Sequence, residues 1–164
     1  MSLHAAAGSV PDEVADMGGT SFRTRAVFGN SSSLMIATRP DGYHSTPHTH
    51  DCEQLNWMQD GELWVFVVDR AFHLRTGDFL RIPAGALHWS WNRSGAPCTL
   101  VEVHTPGLQH DPLISGYAVG LHDEGEVPEF LGSPVSEFPD DPAFDVAVAE
   151  KAATDDPAPA VDAG

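Results

Sequence analysis

The chain has 164 residues, which is enough for one domain with a sizeable core. Its 24 acidic residues outnumber the 8 basic ones, and the formal net charge of −16 argues against binding to nucleic acid or to anionic membranes. The sequence shows no apolar run of membrane-spanning length and no charged start followed by an apolar stretch. Neither a membrane span nor a secretory signal is predicted, and a cytoplasmic protein is expected.

The two ends of the chain differ in composition from its centre. Residues 1–19 are rich in Ala, Gly, Asp and Ser without a lasting period, so we expect a flexible arm or a strand lent to a partner subunit. Residues 107–141 form a Gly-, Pro- and acid-rich stretch that is expected to wrap irregularly around the outside of the domain. Residues 142–164 are expected to form a short helix, over 143–154, and then a disordered acidic tail.

The centre of the chain, residues 20–106, has the pattern of an all-β domain. Turn signals such as Asp41-Gly42 and Asp60-Gly61 separate short apolar runs, and no sustained helical period occurs before residue 142. The clearest runs predicted to be strands are 33–38, 63–68, 79–83 and 99–104. A small barrel or sandwich is therefore expected.

Histidine and amide side chains recur within this region at strand spacing. His48 and His50 are two residues apart, so they share one face of a strand, and Gln54 and Asn56 keep the same parity. A second set with a shared face contains His88, Ser90 and Asn92. A single histidine is more often a surface or core residue, but neutral imidazoles together with an amide oxygen suit a divalent transition metal. The pattern predicts metal ligands at His48, His50, Gln54 and His88, with Asn56 and Ser90 lining the pocket.

These residues resemble the two motifs of the cupin family. The first motif, Gly-x5-His-x-His-x3-Glu-x6-Gly, is matched by Gly42, His48, His50, Gln54 and Gly61. The second, Gly-x5-Pro-x-Gly-x2-His-x3-Asn, is matched by Gly77, Pro83, Gly85, His88 and Asn92. The one departure is Gln54, where the family commonly has Glu. The resemblance covers about residues 32–106 and implies an all-β, jelly-roll-like cupin barrel that holds one divalent metal ion (Zn, Ni, Fe or Mn).

The glutamine variant is similar to two groups of metal cupins, which open the ring of unsaturated uronates or cyclise aromatic polyketides. In the uronate enzymes the last strand runs Asp-x-Phe-Ser-Pro-Pro-Arg, and Glu102, His104 and Leu108 stand here at the acid, aromatic and arginine positions. The residue that would clamp a substrate carboxylate is thus replaced by Leu108. Arg81 could substitute for it, but it alternates with apolar neighbours and is expected to point outward.

Glu102 and His104 lie two apart on the predicted strand 99–104 and so share a face. Either this pair or Val101 and Val103 faces the pocket, and alternation alone leaves both possibilities open. The resemblance favours the first, with Glu102 moving a proton and His104 assisting. Glu53 has the opposite parity to the metal ligands and is expected on the other side of the sheet.

Four tryptophans lie in the motif region, and two of them have the wrong parity for the pocket. Trp89 and Trp91 therefore predict an outer stripe that is buried against a partner subunit or against the C-terminal segment. Trp64 and Phe66 have the same interpretation. An uncovered stripe would be too apolar for a monomer, so a homodimer is expected.

Three function classes are compatible with the sequence. The first is a metal-dependent isomerase, cyclase or lyase that acts on a small carbonyl- or enol-bearing metabolite. The second is a dioxygenase that uses Fe(II) or another redox metal with the same ligands. The third is a non-catalytic cupin that binds a small molecule. The identity of the metal and a requirement for O₂ discriminate between the first two.

Overall fold

The computed structural model describes residues 3–121, 135–136 and 146–155. The strands are β1 (Glu13–Asp16), β2 (Ser21–Phe28), β3 (Ser33–Arg39), β4 (Thr49–His50), β5 (Glu53–Asp60), β6 (Glu62–Val67), β7 (Arg70–Arg75), β8 (Phe79–Ile82), β9 (His88–Trp91), β10 (Cys98–Thr105), β11 (Val119–Gly120) and β12 (Val135–Ser136). The helices are a 3₁₀ turn (Ala7–Ser9), α1 (Pro112–Ser115) and α2 (Val146–Asp155). No helix in the described part of the chain is long and apolar enough to cross a membrane.

The strands form two main sheets that face each other across the core. The larger sheet has the order β1-β2-β3-β10-β5-β8, with β11 parallel to β2 at one side. The smaller sheet has the order β7-β6-β9, and β12 pairs with β4. This arrangement confirms the expected all-β, jelly-roll-like barrel.

The four clearest predicted strands are confirmed to within one residue at each end, as β3, β6, β8 and β10. Burial alternates along β3, β8 and β10, and in β6 the alternation breaks at Val65 and Phe66, which are both buried. β2 was not among the predicted runs, although Phe22 and Ala26 point inward there and Arg23 and Arg25 outward. A signal for this strand was therefore present in its alternation.

The N-terminal segment joins the barrel instead of leaving it. Within the expected arm, residues 13–16 form β1 and pair antiparallel with β2 of the same chain. Ala15 and Met17 are buried in the core there. In the expected wrapping segment, α1 and β11 lie between residues 107 and 121, while residues 122–134 and 137–141 lie outside the described residues.

The C-terminal helix covers the inner part of the tryptophan stripe. The predicted helix is confirmed as α2, and its Val146 and Ala149 pack against the cluster that contains Trp89. Trp89 is only 1% exposed, and its indole N–H donates to the Glu150 carboxylate at 2.9 Å. The stripe was expected to be buried against either a partner subunit or the C-terminal segment. In the structure the chain's own C-terminal helix packs over Trp89. The predicted tail over 156–164 lies outside the described residues.

A different apolar surface is exposed on the outward side of the larger sheet. Its members on β3, β5 and β8 are between 37% and 75% exposed. They are Leu34, Ile36, Leu55, Trp57 and Phe79. The strand register places Val101 and Val103 of β10 between them. We call these seven residues the outer apolar face.

Candidate metal centre

Two neighbouring chain segments bring the motif histidines together. His48 and His88 face each other in an antiparallel bridge and exchange backbone hydrogen bonds of 2.9 and 3.0 Å. Directly opposed residues project their side chains to the same side, and the two rings lie 4.3 Å apart between centroids. His50, two residues after His48, shares that side and lies 4.7 Å from the His88 ring.

The three imidazoles form a cluster that could hold a metal ion. Their candidate ligand nitrogens all lie within 4.8 Å of one another, and all three residues are buried. Each Nδ1 lies 2.9 to 3.0 Å from a backbone carbonyl oxygen, which can only accept a hydrogen bond, so Nδ1 carries the proton. The acceptors are the carbonyls of Thr46 for His48, Cys52 for His50 and Ala86 for His88. The Nε2 atoms then carry the lone pairs that could coordinate an ion, as in metal sites whose ligands are oriented by a second hydrogen bond.

Gln54 presents its oxygen to this cluster. Its amide nitrogen donates to Asn56 Oδ1 at 2.8 Å and to Glu102 Oε2 at 3.2 Å, which fixes the orientation of the amide. Its Oε1 consequently lies 3.0 Å from His50 Nε2. Because the proton of His50 is on Nδ1, two acceptor atoms face each other at this distance. A shared cation satisfies both, so the residues present fit a divalent metal ion.

Burial keeps these ligands in the form that binds metal. It lowers the pKa of His48 to about 4, and it lowers the pKa of His88 well below its ordinary value, with the neighbouring histidines adding to the effect. Both imidazoles are therefore neutral near pH 7, as metal coordination requires.

The metal-free protein is expected to lose stability on acidification. The ordinary pKa of His48 is 6.5 and its folded value is about 4, so the unfolded chain binds more protons between these values. The stabilising contribution of the neutral imidazole is complete above pH 6.5 and falls progressively toward pH 4. Urea denaturation of chelator-treated protein at pH 7.5 and 5.5 measures this slope. His48→Asn should show a shallower slope, and an equal slope in both proteins would contradict the assignment.

Glu102 and His104 point into the barrel, and Val101 and Val103 point outward. Glu102 Oε2 lies 3.7 Å from His104 Nε2. Burial, followed by the charges of His50 and Arg39, lowers the pKa of His104 well below its ordinary value, so this imidazole is neutral and can accept a proton. Its Nδ1 has no hydrogen-bond partner among the described residues.

Arg39 is a residue of this site that the sequence analysis did not find. It is the last residue of β3, it is 7% exposed, and its Nη2 forms a 2.5 Å ion pair with Glu102 Oε1. The signal was strand parity: Arg39 follows Met35 and Ala37 on the inward face, one residue beyond the predicted end of the strand. Arg81, in contrast, points outward as expected and pairs with Glu53.

A single cavity joins these groups. It lies where the two halves of the apolar core meet, and the predicted pocket residues Asn56 and Ser90 both line it. The other polar side chains that line it are His48, His50, Gln54, His88, Glu102, His104, Arg39, Tyr43, Ser45 and Asp111. Leu108 adds an apolar wall where the uronate enzymes have arginine. Asn92 serves the fold, because its side chain donates to the carbonyls of Arg39, Pro40 and Ala96.

Comparisons with known proteins agree with this architecture. Residues 35–104 match the family described as the Cupin domain. No protein among those with curated functions matches the chain significantly.

Several solved structures are similar in fold. A cupin 2 conserved barrel domain protein from Rhodopseudomonas palustris has a TM-score of 0.54 and 15% identity, over 62% of this chain and 77% of that one. An RmlC-like cupin from Shewanella frigidimarina NCIMB 400 has a TM-score of 0.52 and 21% identity, over 63% of this chain and 90% of that one. AerE from Microcystis aeruginosa has a TM-score of 0.52 and 19% identity, over 58% of this chain and only 45% of that one. The barrel and the similar structures show that this chain has the cupin fold, and residues 35–104 are the part that matches the Cupin domain.

Proposed function

We propose that the protein is a metal-dependent cupin enzyme that acts on a small carbonyl- or enol-bearing metabolite by isomerase-, cyclase- or lyase-type chemistry. One observation carries the proposal: a carboxylate and a neutral imidazole, Glu102 and His104, line the same cavity as the histidine cluster. A cavity used only for binding has no need of proton-accepting groups beside a metal site. The resemblance to glutamine-containing metal cupins supports the same class of reaction.

The residues divide into those that hold the ion and those that move a proton. Four neutral ligands would hold the metal: His48, His50, His88 and Gln54. Because none of them is charged, a bound divalent ion would keep its full charge and would act as a Lewis acid toward a carbonyl or enolate oxygen. The Glu102 side chain forms an ion pair with Arg39 in the same cavity. Glu102 would move the proton, and His104, whose Nε2 lies 3.7 Å from Glu102 Oε2, would assist.

The metal and the oxygen requirement test this proposal against the dioxygenase. Protein purified without added metal is analysed for metals and assayed for proton exchange into carbonyl compounds in ²H₂O, with and without O₂. About one zinc, nickel or manganese ion per chain and exchange that is independent of O₂ would support the proposed class. Iron with turnover that requires O₂ would replace it with the dioxygenase, and a metal-free protein without exchange would leave a small-molecule-binding cupin.

We propose further that the expected homodimer forms through the outer apolar face. The partner that fits this face best is a second copy of the chain. The centre of the face is uncharged, and a positively and a negatively charged side chain lie next to it. Trp57 and Phe79 stack at 6.5 Å between ring centroids, and the Arg81–Glu53 ion pair lies on the same two strands. A second copy related by a twofold axis would bury the apolar centre and could pair these opposite charges.

Light scattering after size-exclusion chromatography should give the mass of a dimer for the wild type. Phe79→Lys, which places a charge at the most exposed position of the face, should give a monomer. Val14→Lys is the matched control, since Val14 is 62% exposed on β1 and lies outside the face. A monomeric wild type, or a dimeric Phe79→Lys variant, would refute this interface.

A further inference from the structure

We infer that the substrate carries a carboxylate and that Arg39 binds it. This inference rests on the proposed function, because it assigns a substrate class to the same cavity. It is also independent of the uronate comparison, in which the arginine position is occupied here by Leu108.

The hydrogen bonds of Arg39 are incomplete. A guanidinium has five N–H donors, and in this structure Nη2 donates to Glu102 Oε1. Nε and Nη1 are buried and have no hydrogen-bond partner among the described residues. Buried donors of a charged group are costly when they are left unpaired, and native proteins pair nearly all of them with protein, water or ligand. A role as the counter-ion of Glu102 explains why Nη2 is buried, but it does not explain why Nε and Nη1 are buried without partners.

The surroundings of Arg39 suit a planar anion. The rings of Phe22 and Tyr43 each lie 5.3 Å from Cζ of the guanidinium, so aromatic surface packs around the cation and restricts its movement. A fixed guanidinium fork matches the two oxygens of a carboxylate. Burial would lower the pKa of Arg39, but the Glu102 carboxylate more than offsets this, and the pKa is raised above its ordinary value. The side chain therefore stays charged.

A chain of contacts links Arg39 to the histidine cluster. Arg39 pairs with Glu102, Glu102 accepts a hydrogen bond from Gln54, and Gln54 Oε1 faces His50. All four side chains line one cavity. A substrate whose carboxylate is bound by Arg39 can therefore direct a carbonyl a few atoms away toward the histidines.

The balance of charge in the cavity also favours an anion. Glu102 neutralises Arg39, and imidazole and amide groups coordinate a metal ion in their neutral forms. A divalent ion held by neutral ligands would leave a positive surplus, which attracts a negatively charged substrate. Asp111 is the remaining acidic group that lines the cavity, and burial raises its pKa.

The test compares two probes that differ in charge and little else. Pyruvate and pyruvamide are titrated by calorimetry into the zinc-loaded wild type and into the double variant Arg39→Met/Glu102→Gln, which removes both charges of the pair. Wild type should bind pyruvate at least about tenfold more tightly than pyruvamide, the ratio expected for a charge-assisted hydrogen bond. The double variant keeps the charge of the zinc ion but lacks the guanidinium, so it should lower this ratio several-fold. The matched control is Arg23→Met/Asp12→Asn, which removes an exposed ion pair outside both the cavity and the outer apolar face and should keep the wild-type ratio.

Two results would overturn the inference: a wild-type ratio near one, including no detectable binding of pyruvate at millimolar concentration, or a ratio that is the same in the double variant as in the wild type. If the double variant does not fold, Arg39→Lys replaces it and should lower the ratio several-fold, because lysine lacks the planar fork. Zinc content is measured on the same samples. Bound zinc without a preference for pyruvate rejects the carboxylate and leaves the metal site intact. Failure to bind zinc, nickel or manganese rejects the metal enzyme, and the titration of the metal-free protein still tests Arg39.

Discussion

His48→Ala and His88→Ala should each lose the bound divalent ion. Both imidazoles belong to the cluster whose ligand atoms lie within 4.8 Å of one another, and their removal takes away one of four neutral donors. Loss of an outer hydrogen bond to a ligand typically weakens metal binding about 10- to 100-fold, so loss of a ligand itself should exceed about 100-fold. Mass spectrometry of the purified variants and competition with a chromophoric chelator measure the effect.

The chain provides a matched control for these variants. His73 is a partly buried histidine on β7 that stacks on Trp64, with ring centroids 4.7 Å apart, outside the cavity. His73→Ala should keep the full metal content. Gln54→Glu should bind the ion more tightly than the wild type, because the carboxylate adds a charged oxygen where the amide adds a neutral one. Metal retained at full affinity in His48→Ala would refute the ligand assignment.

Strand alternation explains why much of the fold was predictable. In β3 and β10 apolar and polar positions alternate with period two, and one buried face gives that pattern a single register. The same rule placed His48 and His50 on one side of the chain. The rule was applied only within the predicted strand. Arg39 lies one residue after the predicted end at Thr38, so the inward direction of its side chain was not considered.

Other parts of the site depend on contacts that a period cannot describe. Alternation on β10 alone could not say whether Glu102 or Val101 points into the barrel. The packing of β10 against the rest of the barrel determines which of them does. Trp89 shows the same limit, because parity predicted an outward residue that must be covered but could not say by which segment. The hydrogen bond from Trp89 to Glu150 connects positions 61 residues apart, and such long-range pairing is not encoded in local spacing.

Arg39→Met should destabilise the protein strongly, by about 3–5 kcal/mol in the free energy of unfolding, because it leaves the Glu102 carboxylate buried without its counter-ion. Glu102 is 3% exposed and Arg39 is 7% exposed, so water cannot replace the missing partner without rearrangement. Urea denaturation measures the loss. The exposed pair Arg23–Asp12 is the control, and Arg23→Met should leave the free energy of unfolding nearly unchanged, as is usual for exposed ion pairs.

The double variant Arg39→Met/Glu102→Gln separates the cost of an orphaned charge from the net contribution of the pair. Removing both charges of a buried pair is often nearly neutral, so the double variant should recover most of the stability that Arg39→Met loses. If it is instead as unstable as the single variant, Arg39 stabilises the barrel by its packing against Phe22 and Tyr43, and the ion pair contributes little. Recovery would mean that the fold does not need the buried pair. The presence of a charged, incompletely paired arginine beside the histidine cluster is then better explained by what the cavity binds than by the stability of the barrel.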